Sequence, residues 1–299
     1  MHQKIKDGIL ASFIADALSL GVHWVYDIND IQKEFGRLEK IAAPGLAPYH
    51  GMKQKGDFTH YGDQTMRLME SIHQRSGFDP EGFKQDWLDL FKDYKGYVDQ
   101  ATKTTIKNHD ANKGGSGSTD LGGAARIAPL SLLILNNESD FIQAARAQTA
   151  MTHNTPVVLD TAEFFAHAFM GVLEGKTPTQ AIDRSLEIMS DSFELHHLVT
   201  SGRQSITQDT PGAIAQMGQA CSTIGALQST IHLILKYEDD LNEALVENIN
   251  AGGDSSARGM LTGFILGAYN GLESIPESWK EDLNAWSDII SIIEQSRDQ

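Results

Sequence analysis

The chain has 299 residues, 40% hydrophobic and 21% charged, the composition of an ordinary globular protein long enough to bury a sizeable core. Its 24 Lys and Arg stand against 40 Asp and Glu, a net charge of −16 that argues against non-specific binding to nucleic acid or anionic membranes. The single Cys221 cannot form an internal disulfide, and the charged start at Lys4, Lys6 and Asp7 lacks the apolar run of a signal peptide, so a cytoplasmic protein is expected.

From Ile5, apolar residues at three- and four-residue spacing (Ile9, Leu10, Phe13, Ile14, Ala17, Leu18) predict an amphipathic helix ending near Gly21. Asp16 lies on its apolar side, where a carboxylate has to be paired, hydrogen-bonded or metal-bound. His23, Trp24 and Tyr26 follow, then a stretch to Phe58 with little periodicity, which in a compact domain reads as a functional segment or lid. Gly62-Asp63 precedes Met66, Leu68, Met69 and Ile72 at helical spacing, so Asp63 reads as an N-cap or a site carboxylate. A helix from Pro80 carries Phe83, Trp87, Leu90 and Phe91 on one face.

Residues Asn112 to Asp120 form a Gly/Ser-rich loop that is not a phosphate-binding Walker motif, because no Gly-Lys-Ser/Thr closes it. It reads as a connector or a ligand-covering loop. The small residues from Gly122 start a buried helix that Pro129 breaks, and Arg126 within it needs an acidic partner or a ligand phosphate. Thr155-Pro156 and Thr177-Pro178 are N-cap and N1 pairs for two further helices. Ala220 to Tyr237 and Asp240 to Asn250 are helical, and two short helices follow Pro276.

Between these lies Gly252-Gly253-Asp254-Ser255-Ser256, with Asp254 or Ser255 as the N-cap of an apolar helix. Gly259, Gly263, Gly267 and Gly271 recur every fourth residue along it. Each interior glycine costs about 0.8–1 kcal/mol of helix propensity, so the strip is expected to be offset by close approach of another helix. Every periodic segment favours helix and no alternating run demands a strand. One all-α domain over residues 1–299, of roughly a dozen helices, is the expected fold.

The order of motifs resembles the ADP-ribosylglycohydrolase family, an all-α fold with a two-magnesium site. Ala15-Asp16-Ala17-Leu18 is similar to its Gly-Asp-Ala-Leu, Tyr61-Gly62-Asp63-Gln64 stands where it has Thr-Asp-Asp-Thr, and Thr152-His153 resembles its Thr-His. Gly122 to Arg126 with Ala128-Pro129-Leu130 is similar to its segment ending Met-Arg-x-x-Pro-Leu, Gly252-Gly253-Asp254 to its Gly-Gly-Asp-Thr-Asp-Thr, and Ile275-Pro276 with Trp279 to its tail.

The resemblance implies hydrolysis of an N- or O-glycosidic bond of free or protein-linked ADP-ribose or a related nucleotide-ribose. The departures fall on the metal ligands. Tyr61 and Gly62 replace Thr and Asp, Ser256 and Ala257 replace the second Asp and the Thr, and Leu121 stands for an Asn. His23 aligns with the catalytic Glu. The expected site is therefore reduced: Asp63 and Asp254, with Ser255, Ser256 or Gln64, hold one magnesium ion or the attacking water, and His23 acts as acid/base. Asp120, Gly122, Gly123, Arg126 and His153, or the Gly114 to Ser118 loop, are expected to contact substrate. The variant is similar also to jellyfish lens crystallins, and the alternative expectation is a non-catalytic or ligand-binding protein that keeps the fold.

Overall fold

Two helices from opposite ends of the chain form the axis of the molecule. The structure is a computed structural model that describes residues 1–111, 113–136 and 140–296; Asn112, the first residue of the Gly/Ser-rich loop, lies outside them. In chain order, α1 (His2–Ser19) is followed by α2 (Ile28–Phe35), a 3-10 turn at Pro48–His50, α3 (His60–Arg75), α4 (Pro80–Lys92) and α5 (Gln100–Asp110). Then come α6 (Gly122–Ala125), a 3-10 stretch (Ala128–Asn136), α7 (Phe141–Thr152), α8 (Pro156–Leu173), α9 (Pro178–Ile188), α10 (Phe193–Gln204) and α11 (Thr210–Met217). The C-terminal third holds α12 (Thr223–Lys236), α13 (Leu241–Asn250), α14 (Ser255–Asn270), α15 (Glu277–Asp282) and α16 (Trp286–Ser296). Among the described residues there is no β-strand, only three isolated bridges.

The expected all-α architecture is observed, with more helices than the periodicity counted. The difference arises where helices are short: α2 lies inside the segment to Phe58 that was expected to be irregular, started by the Asp27 side chain accepting from Asn29 N. The breaks fall where the residues place them. α6 stops at Ala125 and Pro129 lies at the start of the 3-10 stretch that follows, Thr177 and Gln180 form a reciprocal capping box on α9, and Asp240 caps α13. α8 is the one described helix long and apolar enough to cross a membrane. Its Phe164, Phe165 and Phe169 are fully buried in the protein core.

The glycine strip faces α1. α14 is buried from Ser255 to Ala268, and α1 is its most extensive neighbour. A Cβ on Gly263 would stand 2.5 Å from the backbone oxygen of Ala11, and one on Gly267 would stand 2.4 Å from Ala11 Cβ, so the two backbones touch where side chains would hold them apart. Gly271 departs from the strip. It sits at the C-cap of α14 with φ +76°, a left-handed position that suits glycine.

The backbone contact generates a stability test. Gly263→Ala gains about 1 kcal/mol of helix propensity but forces rigid backbone apart, an overpacking cost of roughly 1–3 kcal/mol or more. The expected result in a denaturant melt is a lower midpoint for Gly263→Ala; an unchanged or higher midpoint would show that α1 and α14 do not meet at this glycine.

Candidate functional site

The start of α14 is pinned to the chain that leaves α1. Gly252 and Gly253 both take positive φ, and Gly253 pairs with Val25 in an antiparallel bridge while its oxygen accepts from Trp24 N at 2.8 Å. A Cβ on Gly253 would lie 2.2 Å from the Gln219 oxygen, so this turn admits no side chain. The fully buried Arg258 reaches back from α14 to donate to Gly252 O at 2.6 Å and to Asn248 Oδ1 at 3.2 Å, fastening the turn from within. Trp24 itself has φ +63°, a strained conformation for a bulky residue that persists only where its surroundings fix it.

Asp254 caps α14, accepting from Ala257 N at 3.3 Å, and is fully buried. Its Oδ1 lies 3.1 Å from His23 Nε2, and its Oδ2 accepts from the Tyr61 hydroxyl at 3.1 Å. Burial pushes the Asp254 carboxyl up, but the hydrogen bond and charge of His23 together with Arg258 hold it below the usual carboxylate range. Burial pushes the His23 imidazole below its ordinary value against the pull of Asp254. The other ring nitrogen of His23, Nδ1, faces His50 Nε2 at 2.9 Å.

His60, the first residue of α3, completes the group. The ligand nitrogens of His23, His50 and His60 all lie within 4.8 Å of one another, and each side chain is at most 2% exposed. This set has the spacing of a metal site. Burial, then His23 and His60, drive the His50 pKa down to about 2. Asp99 Oδ2 lies 3.1 Å from His60 Nε2, off hydrogen-bond alignment. Burial opposes ionisation of Asp99, but His60 and the Thr102 N–H hold it well below the usual range. Trp24 stacks on His23 with centroids 4.4 Å apart, and the rings of Tyr49 and Tyr97 each meet Trp24 edge-on at 5.0 Å.

Two cavities neighbour each other here, and one of them reaches the centre through His50. One of about 520 Å³ is lined by His50, Tyr49, Tyr97, Lys53, Lys95 and Lys103, and none of its lining residues is a carboxylate. The other, about 680 Å³, shares Lys53 and Lys95 but also carries Asp63, Glu70, Asp89 and Asp288.

Several expected site residues sit elsewhere than the sequence suggested. Asp63 is not an N-cap: Thr59 caps α3, and Asp63 accepts from Lys53 Nζ at 2.5 Å and from the Tyr94 hydroxyl. It shares no hydrogen-bond partner with Asp254. Ser256 donates to Asp16 Oδ1, which also accepts from Thr59 Oγ1 at 2.6 Å, while Thr59 N donates to Asp16 Oδ2 at 2.8 Å. The buried carboxylate of α1 is therefore satisfied by hydrogen bonds, and Ser256 is committed to it. The neighbouring Ser255 Oγ is buried without a partner. His23 is fully buried with both nitrogens engaged, so His50 is the member of the group that reaches a cavity.

The residues expected to contact substrate lie in the following surroundings. Arg126 is 1% exposed and donates to Gln64 Oε1 and Thr152 Oγ1, with neither a carboxylate nor a cavity in reach of its hydrogen bonds. Burial lowers its pKa to about 10, which still leaves a cation at neutral pH. His153 is likewise buried, its Nδ1 2.9 Å from Thr152 Oγ1. Gly122 and Gly123 are packing positions, since a Cβ would fall 2.2 Å from the Tyr61 ring and 2.6 Å from the His153 ring. Gly114 and Gly115 line a separate cavity with Phe78 and His109. Asp120 is half-buried, bridged to Ser222.

The fold and centre define an all-helical protein whose polar site joins the end of the first helix, the start of α3 and the start of the glycine-bearing helix. The chain belongs to the ADP-ribosylglycohydrolase family, whose model matches residues 1–298. It is similar to crystallin J1A of Tripedalia cystophora, at 22% identity over 98% of this chain and 95% of the relative. It is similar also to the ADP-ribosyl-[dinitrogen reductase] glycohydrolase of Rhodospirillum rubrum, at 19% identity over 95% and 91%. ADP-ribosylhydrolase ARH3 of Mus musculus is 22% identical over 94% and 88%. Among solved structures, an ADP-ribosylglycohydrolase-related protein complex superposes with a TM-score of 0.80 at 21% identity, over 99% of this chain and 98% of that one, a likeness of fold.

Because Arg126 is held by protein groups, Arg126→Met is expected to lower stability by about 2–3 kcal/mol, through loss of its charge-assisted hydrogen bonds to Gln64 and Thr152. A thermal melt checks it. A melt unchanged from the parent, with weaker nucleotide binding instead, would return Arg126 to the substrate.

Proposed function

We propose that the chain is a cytoplasmic hydrolase of the N- or O-glycosidic bond joining ADP-ribose, or a related nucleotide-ribose, to a small molecule or protein. The observation that carries this reading is the 520 Å³ cavity: in a chain of net charge −16 it is lined by Lys95, Lys103 and Lys53, the last paired to Asp63 at its wall, and by no carboxylate. An anion enters such a cavity at a gain that few other places on an acidic protein offer. Lys53, Lys95 and Lys103 suit a diphosphate, Tyr49 and Tyr97 suit the flat face of a base, and the reacting sugar falls at the His50 end. Asp254 and His23 stand behind His50 and position it, and Asp63 holds Lys53 at the wall between the two cavities. Membership of the family supports the same reaction class.

Magnesium is a poor match to these residues. It prefers octahedral oxygen coordination with little distortion. Oδ2 of Asp63 accepts from both Lys53 and Tyr94, the oxygens of Asp254 are engaged by His23, Tyr61 and the helix start, and Ser256 Oγ donates to Asp16. No step of the reaction is therefore assigned to magnesium. The same engagement of Asp63 favours a second reading, a ligand-binding or lens-type protein that has kept the fold, in line with the similarity to crystallin J1A.

Calorimetric titration with ADP-ribose and release assays on arginine- and serine-linked ADP-ribose separate the two. Hydrolysis predicts binding that Lys95→Glu and Lys103→Glu each weaken roughly tenfold, the 1.4 kcal/mol or so of one charge-assisted contact. Binding without release in any linkage would favour the second reading, and no binding at all would remove the assignment of the cavity.

A further inference from the structure

Beside the oxygen ligands expected for magnesium, the centre holds a different donor set. We propose that His23, His50 and His60 bind one transition-metal dication of the zinc class at the inner end of the lysine-lined cavity. The inference rests on the geometry of the three imidazoles and does not require the hydrolase reading.

Three observations carry it. The first is distance. Zinc binds imidazole nitrogen at about 2.0–2.1 Å, so nitrogens around one ion stand roughly 3–4 Å apart. The three histidines bring theirs within 4.8 Å of one another, with His23 Nδ1 and His50 Nε2 already at 2.9 Å.

The second is unpartnered nitrogen. His60 is 1% exposed, its Nε2 lies beside Asp99, and its Nδ1 has no hydrogen-bond partner. Buried polar atoms are paired in nearly all native structures, so this nitrogen, in a cluster of three imidazoles, is an unfilled demand. A metal ion answers it where hydrogen bonding among imidazoles cannot, because in the neutral cluster His23 and His50 share one proton-donating contact and His60 is left out.

The third is the surrounding carboxylates. Asp254 accepts at His23 Nε2, which fixes the proton there and leaves the Nδ1 lone pair facing His50. Asp99 stands 3.1 Å from His60 Nε2, which favours the proton on that side and the lone pair on Nδ1. A carboxylate behind a ligating histidine is the usual way its ring is oriented and its basicity raised. Here two of the three have one. Imidazole donors select zinc, copper, nickel or iron over magnesium and calcium, and three of them leave a fourth coordination position for water or another ligand.

The full chain, stripped with a chelator and dialysed against zinc, is expected to retain one equivalent by elemental analysis and to gain thermal stability with zinc but not with magnesium. Cobalt in its place should give the ligand-field absorption of a nitrogen-bound ion. His60→Ala and His50→Gln should each abolish retention, and Asp254→Asn should weaken it about 10- to 100-fold. No zinc retained by the unaltered chain overturns the proposal, and so does retention undiminished in both histidine variants. Should the variants fail to fold, the metal content and cobalt spectrum of the unaltered chain still decide. A chain that releases ADP-ribose but holds no zinc would remove this site and leave the hydrolase reading standing; zinc binding with every conjugate left intact would do the reverse.

Discussion

The contact on which the rest depends is backbone against backbone, between α1 and α14. Hydrophobic burial alone would bring two apolar helices together, but at ordinary side-chain separation. The glycines of α14 let Gly263 and Gly267 approach the main chain of α1 itself, and that closeness brings the N-terminal end of α14 to the C-terminal end of α1. There Gly253 pairs with Val25 and Trp24, Asp254 meets His23, and Ser256 meets Asp16. An alanine strip would be the better helix and the worse site, since each added Cβ would move the Asp254 carboxylate away from the residues that neutralise it.

That junction is polar and dry, a combination tolerated only when every charge has partners. Asp16 has three donors, Asp254 has His23, Tyr61 and the helix start, and Arg258 is wrapped by carbonyls and the amide of Asn248. Arg126 is the exception that shows the cost. It is a buried cation held by neutral oxygens from Gln64 and Thr152, with Asp99 acting on it only through the field. The three histidines stand at the seam between these satisfied groups and the lysine-lined cavity, which is where unpaired nitrogen is concentrated.

Most of the fold was legible because it is written in short-range terms: periodicity, Thr-Pro starts, and a glycine repeat whose only physical use is close packing. The site was legible where it coincided with a helix start, as at Asp254, and illegible where long-range neighbours decide. Asp63 reads as a cap or ligand in sequence because nothing local reveals that Lys53 and Tyr94 will claim it. Arg126 reads as a phosphate contact because an arginine among small residues gives no sign of which oxygens surround it. His50 and His60 went unremarked in the segment before and at the start of α3. One signal was available: each of the three histidines adjoins an aromatic residue, in His23-Trp24, Tyr49-His50 and His60-Tyr61, and those rings form the wall around the cluster.

The departures from the family motif fit one another in space, which argues that the centre has been rebuilt and not merely eroded. Position 62, where the resemblance places an acid, has no room for one: a Cβ on Gly62 would lie 2.2 Å from Asp16 Oδ2 and 2.7 Å from Phe58 Cβ. Tyr61 turns its hydroxyl onto Asp254 Oδ2, while its ring occupies the space beside Gly122. His23, in the place of a glutamate, gives Asp254 a hydrogen-bond donor where a second carboxylate would have repelled it unless a cation lay between. Restoring any one oxygen ligand would therefore meet a filled position or an unbalanced charge. The oxygen-rich centre that the resemblance implies and the imidazole-rich one proposed above draw on the same helices, and Asp254, expected as a metal ligand in the first, is the acceptor behind His23 in the second.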